Sequence, residues 1–197
     1  MDLIFINNDF LLNHSQYQHL ACARWLCHFG IPSLIPDDGA MSYHDIAQEA
    51  QVPEYQLRKI CRMAMTSGLF RELDNNTLAH TAISRGLRHG SPFLDAMMFL
   101  TETASITASK MVDMTVRYGS SSAQNNTAFN VAFDTDLPFY AYLSQNPTVG
   151  AQLAGSMKFF GVGGELHLKH LVNGYDWAGL GEATVVDVSF SSHNLSL

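Results

Sequence analysis

The chain has 197 residues, 47% of them hydrophobic and 15% charged, enough apolar material to bury a core and too little charge for a disordered chain. A formal net charge of -7 argues against a surface built for nucleic acid or for anionic membrane. Three scattered cysteines (Cys22, Cys27, Cys61) make neither a disulfide framework nor a zinc site, no apolar run approaches the roughly 20 residues of a membrane span, and MDLIFINNDF lacks the features of a signal peptide, so a reducing, cytoplasmic setting is expected.

Residues 10 to 29 place Leu11, Leu12, Tyr17, Leu20, Ala21, Trp25, Leu26 and Phe29 at helical spacing, and Gly30 and Pro32 stop the helix. IPSLIPDDG is a turn-rich connector. Ser42, with Asp45 three residues on, caps a short helix through Ile46, Ala47 and Ala50. Pro53 suits the first position of a second helix, whose apolar stripe runs Leu57, Ile60, Cys61, Ala64 and Met65 to Gly68. LFRELDNNTLAHT alternates around Asp74, Asn75 and Asn76, the pattern of two short strands and a turn. Helix, turn, helix and two-stranded wing predict a winged helix-turn-helix, with the wing at about residues 69–82.

Residues 92 to 118 predict one long helix, apolar through Phe93, Leu94, Ala96, Met97, Phe99, Leu100, Ile106 and Met111. GSSSAQNNT is a polar loop. Residues 137 to 160 predict one or two helices starting near Pro138 and broken at Asn146 and Pro147, followed by a GVGG hinge and a short helix over 166–172. ATVVDV, residues 183–188, has the composition of a buried strand. The expected fold is mainly α. Residues 1–118 form a winged-helix domain with its following helix, 119–182 a helical region, and 183–197 a strand and tail.

Four stretches carry a resemblance: IAQEAQVPEYQLRKICRMAMTSGLFRE, LAHTAISRGL, TAFNVAFDTDLPFYAYLSQNP and LKHLVNGYDWAGLGEATVVDV. In this order they resemble the fungal secondary-metabolite O-methyltransferases, relatives of the plant caffeate and flavonoid enzymes, over about residues 20 to 188. The resemblance implies a dimerising winged helix, a helical substrate lid, SAM as cofactor, and methyl transfer to a phenolic or enolic hydroxyl. It makes ATVVDV the first strand of a Rossmann-like SAM-binding sheet. A glycine-rich turn should follow, because glycines let the backbone approach the cofactor. Residues Ser189 to Leu197 contain no glycine. The expectation is therefore a chain truncated at the first SAM motif, with no catalytic and no cofactor-binding residue of its own and no SAM bound.

The remaining chemistry-bearing residues are weighed against plainer roles. His167 and His170, with Glu165 nearby, have a spacing that suits a metal, but a helix surface is the expectation and no metal site is predicted. His193 could be read as a relic of the histidine in the family's GGSxGH turn, but the flanking glycines are absent and coincidence is the expectation. Cys27 beside His28 has the wrong geometry for a nucleophile and its base. Arg58, Lys59, Arg62, Arg71, Arg85 and Arg88 raise DNA binding through the winged helix; Asp45, Glu49, Glu54, Glu72 and Asp74 nearly cancel them, and no nucleic-acid partner is expected. Met97, Phe129, Phe133, Phe159 and Phe160 are candidates to line the substrate side of the family's cleft, with ordinary core packing as the alternative. Trp25, Phe29, Phe93 and Phe99 are candidates for a dimer interface. The expected partners are a second copy or a related methyltransferase, and in the family an aromatic small molecule. The alternatives are a non-catalytic dimerisation or small-molecule-binding partner, and, with less support, a winged-helix DNA-binding protein.

Overall fold

The computed structural model describes residues 8–162, 167 and 169–186, with side chains from residue 16 onward (that of residue 162 excepted). α1 (Asn8–His28) ends where Gly30 takes a left-handed φ of 65°, and α2 (Ile31–Leu34) follows at once. β1 (Ala40–Ser42) leads into α3 (Tyr43–Glu49). Ser42 caps α3 as expected: its Oγ accepts from the Asp45 backbone N–H at 3.1 Å. α4 (Glu54–Met65) is preceded by Pro53, which is the cap residue rather than the first helical one. It buries Leu57, Cys61 and Ala64, a stripe of i, i+4, i+7 spacing.

β2 (Arg71–Glu72) and β3 (Thr77–Ala79) form the expected hairpin. Asp74 holds its turn, with Oδ1 accepting from the Asn76 backbone N–H at 3.1 Å and from Thr77 Oγ1 at 2.7 Å. β3 is central in an antiparallel sheet of order β1-β3-β2, with Met41 opposite Leu78 and Glu72 opposite Leu78 on the other side. The core lies between α1, α3, α4 and this sheet; Leu26, Ile31, Ile35, Tyr43, Ile46, Leu57, Leu78 and Leu87 are fully buried in it. α5 (Ala82–Gly86) is capped by Thr81.

The long helix predicted over 92–118 is interrupted. α6 (Pro92–Met98) passes into a π-helical segment, Phe99–Ala104; α7 (Ser105–Ser109) and α8 (Met111–Tyr118) are separated at Lys110. The apolar periodicity is real, but hydroxyls compete for the helical carbonyls. Thr101 Oγ1 donates to Met97 O at 2.8 Å, Ser105 Oγ to Thr101 O at 2.7 Å and Ser109 Oγ to Ile106 O at 2.6 Å. Such back-bonding bends helices and loosens their hydrogen-bond ladder.

After the polar loop come α9 (Ala128–Phe133), capped by Thr127, α10 (Phe139–Gln145) and α11 (Pro147–Val162), broken at Asn146 as expected. α11 lies along α6 and α9 against α7, so the segments on either side of the loop pack together. At the α6–α11 crossing a Cβ on Gly155 would collide with the Asp95 side chain, a close approach that only glycine allows. α12 (Lys169–Gly174) and a 3-10 turn (Ala178–Leu180) follow. Of the strand predicted at 183–188, residues 183–186 are described and stand in no regular element, with Val185 and Val186 55% and 74% exposed. A strand is stable only with a neighbour to complete its backbone hydrogen bonds, and no described strand lies beside this segment. Asp187, Val188, His193, the glycines of the hinge beyond Gly161, Glu165 and Leu166 lie outside the described residues.

Candidate functional site

A cleft of about 470 Å³ opens between α1 and the interrupted helix. One wall is α1, which presents Tyr17, Leu20, Ala21, Arg24, Trp25, His28 and Phe29, residues one turn apart along a single stripe and its flank. The facing wall is Thr101, Ser105 and Ser109 at four-residue spacing, with Ile106. Trp25 and Phe29 are in ring contact, centroids 4.7 Å apart, and His28 meets Phe29 edge-on at 5.0 Å. Glu102, carried by the π-helical segment, points back at α1. Its Oε1 accepts from His28 Nδ1 at 3.3 Å and lies 3.7 Å from Arg24 Nε. π-helical turns recur at functional sites because they shift the register of the side chains they carry.

The residues expected to line a substrate lid are not brought together. Phe129, buried, and Phe133 pack with Phe139 and Tyr142 in an aromatic cluster of α9 and α10, centroids 4.7 to 5.8 Å apart. Asn130 fixes this cluster by donating to Thr135 O and Leu137 O, both at 2.8 Å, which holds Asp134 in its left-handed turn. Phe159 instead stacks on Phe93, at 4.7 Å and 13°, across the α6–α11 contact; Phe160 beside it is 53% exposed. Met97 faces α1 and the core. The four expected interface residues divide likewise: Trp25 and Phe29 line the cleft, Phe93 is held by Phe159 within the chain, and Phe99 is half-buried on the π-helical segment.

Three of the cations weighed for DNA binding, Arg58, Arg62 and Arg88, are held within the chain. Arg58 donates to Glu54 at 2.8 Å and to Asn75 O at 2.6 Å, and lies over the Tyr43 ring at 4.3 Å. Arg62 Nε donates to Glu72 Oε1 at 3.0 Å, the oxygen that also accepts from the buried Tyr43 hydroxyl at 2.7 Å. Arg88 pairs with Asp37. Burial pushes the Cys27 and Cys61 thiols up to about 12, the opposite of an activated nucleophile. Among the described residues no group of three metal-ligating side chains converges, and no helix is long and apolar enough to cross a membrane.

Sequence reasoning missed the cleft and Glu102. The signal available was TETAS, a polar run inside an otherwise apolar helix.

No family model matches the chain. O-methyltransferase VdtC of Byssochlamys spectabilis is 44% identical over 180 residues, 91% of this chain and 42% of VdtC. O-methyltransferase aoiF of Aspergillus oryzae is 40% identical over 189 residues, 95% of this chain and 45% of aoiF. The crystal structure of OxaC in complex with SAH and oxaline shares the fold, with a TM-score of 0.64 at 17% identity over 74% of this chain and 38% of OxaC. The chain thus spans less than half the length of the relatives it matches. Over almost all of its own length, the chain is similar to fungal O-methyltransferases.

Proposed function

We propose that this chain is the dimerisation and substrate-lid portion of a SAM-dependent O-methyltransferase acting on an aromatic hydroxyl. The observation that carries this is 44% identity to VdtC across 91% of the chain. OxaC, crystallised with SAH and oxaline, supports SAM as the family's methyl donor and an aromatic substrate. The order β1-α3-α4-β2-β3, with its three-stranded antiparallel sheet, supports a winged-helix reading. Its role here is association rather than DNA reading, since Arg58 and Arg62 are held by Glu54 and Glu72.

The described residues do not build a cradle for SAM: residues 183–186 form no strand, and no glycine-rich turn follows them in the sequence. On this reading SAM binding is assigned to none of the described residues. Its contribution is shape. The Phe129, Phe133, Phe139 and Tyr142 cluster forms a rigid aromatic wall, and Phe160 with Met157 gives α11 an exposed apolar face for a substrate-side surface. The partner is a second copy or a related methyltransferase. The exposed Met111, Val112 and Val116 of α8 support a protein contact there.

Co-expression with a complete fungal O-methyltransferase tests this reading. A stable mixed complex, lost when Val112 and Val116 are both changed to Asp, is the expected result. Independent migration of the two chains, with this chain monomeric at every concentration, overturns the association role.

A further inference from the structure

We propose that Asn173 is a site of self-modification, where the side-chain amide is lost to the backbone nitrogen of Gly174 and water completes the conversion to aspartate or isoaspartate, and that α12 with its Trp177 tie gates the reaction. The site is independent of methyl transfer.

Asn173 and Gly174 are the last two residues of α12, and both are exposed. The reaction requires the Gly174 nitrogen to reach Cγ of Asn173. Glycine has no Cβ to resist that approach, and the space beside Gly174 is open, with no atom within 4 Å of where a Cβ would stand. Among the described residues none holds the Asn173 side chain by a hydrogen bond. The other asparagines are placed differently. Asn125, Asn126, Asn130 and Asn146 donate their side-chain amides to oxygens of the chain, and Asn76 accepts from Arg58. Asn75 is followed by Asn76, whose backbone N–H is engaged by Asp74 Oδ1 at 3.1 Å and whose side chain crowds the approach.

The step balances with water as the one co-reactant. The Gly174 nitrogen, its proton lost to solvent base, bonds to Cγ; the bond from Cγ to Nδ2 breaks, and the amide leaves as ammonia. Water then opens the five-membered ring at one of its two carbonyls. Opening at Cγ gives aspartate; opening at the Asn173 main-chain carbonyl gives isoaspartate, with the chain continuing through Cβ and Cγ. Nothing is oxidised or reduced.

The helix stands in the way. Helical backbone directs the Gly174 N–H along the axis and away from Cγ of its neighbour, so the last turn must open first. α12 has six residues, too few to persist without support, and its Leu171 and Val172 are 56% and 48% exposed. Its support is local. Lys169 N donates to His167 Nδ1 at 3.0 Å at the start, and Trp177 Nε1 donates to Leu171 O at 3.2 Å near the end. Isoaspartate lengthens the main chain between Leu171 and Trp177, which prevents that last turn from re-forming, so the change releases the segment after α12 in one direction only.

Incubation of the full chain at pH 8.5, followed by peptide mass mapping that separates aspartate from isoaspartate, tests this. Asn173 should exchange NH for oxygen ahead of every other described asparagine. Gly174→Ala both strengthens the helix and adds a Cβ, and should slow the exchange at least about fivefold. Trp177→Phe keeps the ring and removes the donor, and should speed it about two- to tenfold. Exchange at Asn173 no faster than at Asn75, or a rate indifferent to Gly174→Ala, overturns the site. A rate unchanged by Trp177→Phe overturns the gate.

Discussion

Tyr43→Phe isolates the hydrogen bond that ties α3 to the hairpin. Tyr43 is fully buried, and its hydroxyl donates to Glu72 Oε1 at 2.7 Å, the oxygen that also accepts from Arg62. Burial, then the bond to Glu72, raises the hydroxyl's pKa far above the usual phenol range, so it is a donor at every pH the fold survives. Phenylalanine keeps the ring, its packing and the Arg58 contact, and removes only the donor. A hydrogen bond to a charged acceptor contributes about 1.5–3 kcal/mol. Glu72 retains Arg62 after the change, so the loss should lie at the low end, about 1.5 kcal/mol, or a fall in Tm of about 3–6 °C for a chain of this size. The cost should also depend on pH. Burial alone would raise the Glu72 pKa, but hydrogen bonds from Tyr43 and Arg62 outweigh it and hold the pKa below its ordinary 4.5. A lowered folded pKa gives stability that is present above the unfolded value and lost as pH falls through the folded one. The gap between Tyr43→Phe and the parent chain should therefore be full at pH 7 and narrow below about pH 4.5. Urea unfolding of both proteins at pH 7 and pH 3.5 measures it. A variant within about 0.3 kcal/mol of the parent at pH 7 would refute the assignment of this bond as a tie between α3 and the β2–β3 hairpin.

His80 is 3% exposed, with Nδ1 at 3.0 Å from Ser84 Oγ and Nε2 at 3.2 Å from Ile35 O. Burial, with Arg88 and Arg85 nearby, lowers its pKa below 6.5 despite the Ile35 carbonyl; stability should be complete above pH 6.5 and fall as the pH drops toward the folded value. That slope should be absent in His80→Gln, and urea midpoints across pH 5 to 8 would show whether it is. Gly155→Leu forces a side chain into Asp95 and should cost about 1–3 kcal/mol, whereas Gly161→Ala meets no atom and should be neutral or stabilising by up to about 1 kcal/mol; equal melting temperatures for the two variants would mean that α6 and α11 do not cross there. A thiol reagent at pH 8 should label Cys22 first and reach Cys27 and Cys61 only on unfolding, because burial raises the latter two to about 12; equal native-state rates for all three thiols would contradict their burial.

The elements legible in the sequence were those whose signals are local. Ser42 with Asp45 at a helix start, Gly30 and Gly68 at helix ends, and Asp74 in a hairpin turn each act within a few residues, and each stands where the pattern put it. The 92–118 helix misled because its apolar period is correct, while the hydroxyls of Thr101, Ser105 and Ser109 change the backbone without disturbing that period. Residues 183–186 of ATVVDV stand in no regular element. Its composition is that of a strand, but strand formation depends on partners elsewhere in a chain. The cleft was illegible for the same reason: Glu102 meets Arg24 and His28 across more than seventy residues of sequence, and nothing local announces such a pair. Aromatic residues gave composition without place. Phe129 and Phe159 read alike along the chain, yet one anchors the α9–α10 cluster and the other stacks on α6.

The proposed association and lid role assigns none of the described residues to SAM. Equilibrium dialysis of the purified chain against radiolabelled SAM tests it directly, with a complete fungal O-methyltransferase as the binding control. No retained label beyond the free concentration is expected at SAM levels up to about 1 mM, where an affinity of even about −4 kcal/mol would show. Saturable retention at micromolar SAM, displaced by SAH, would contradict it.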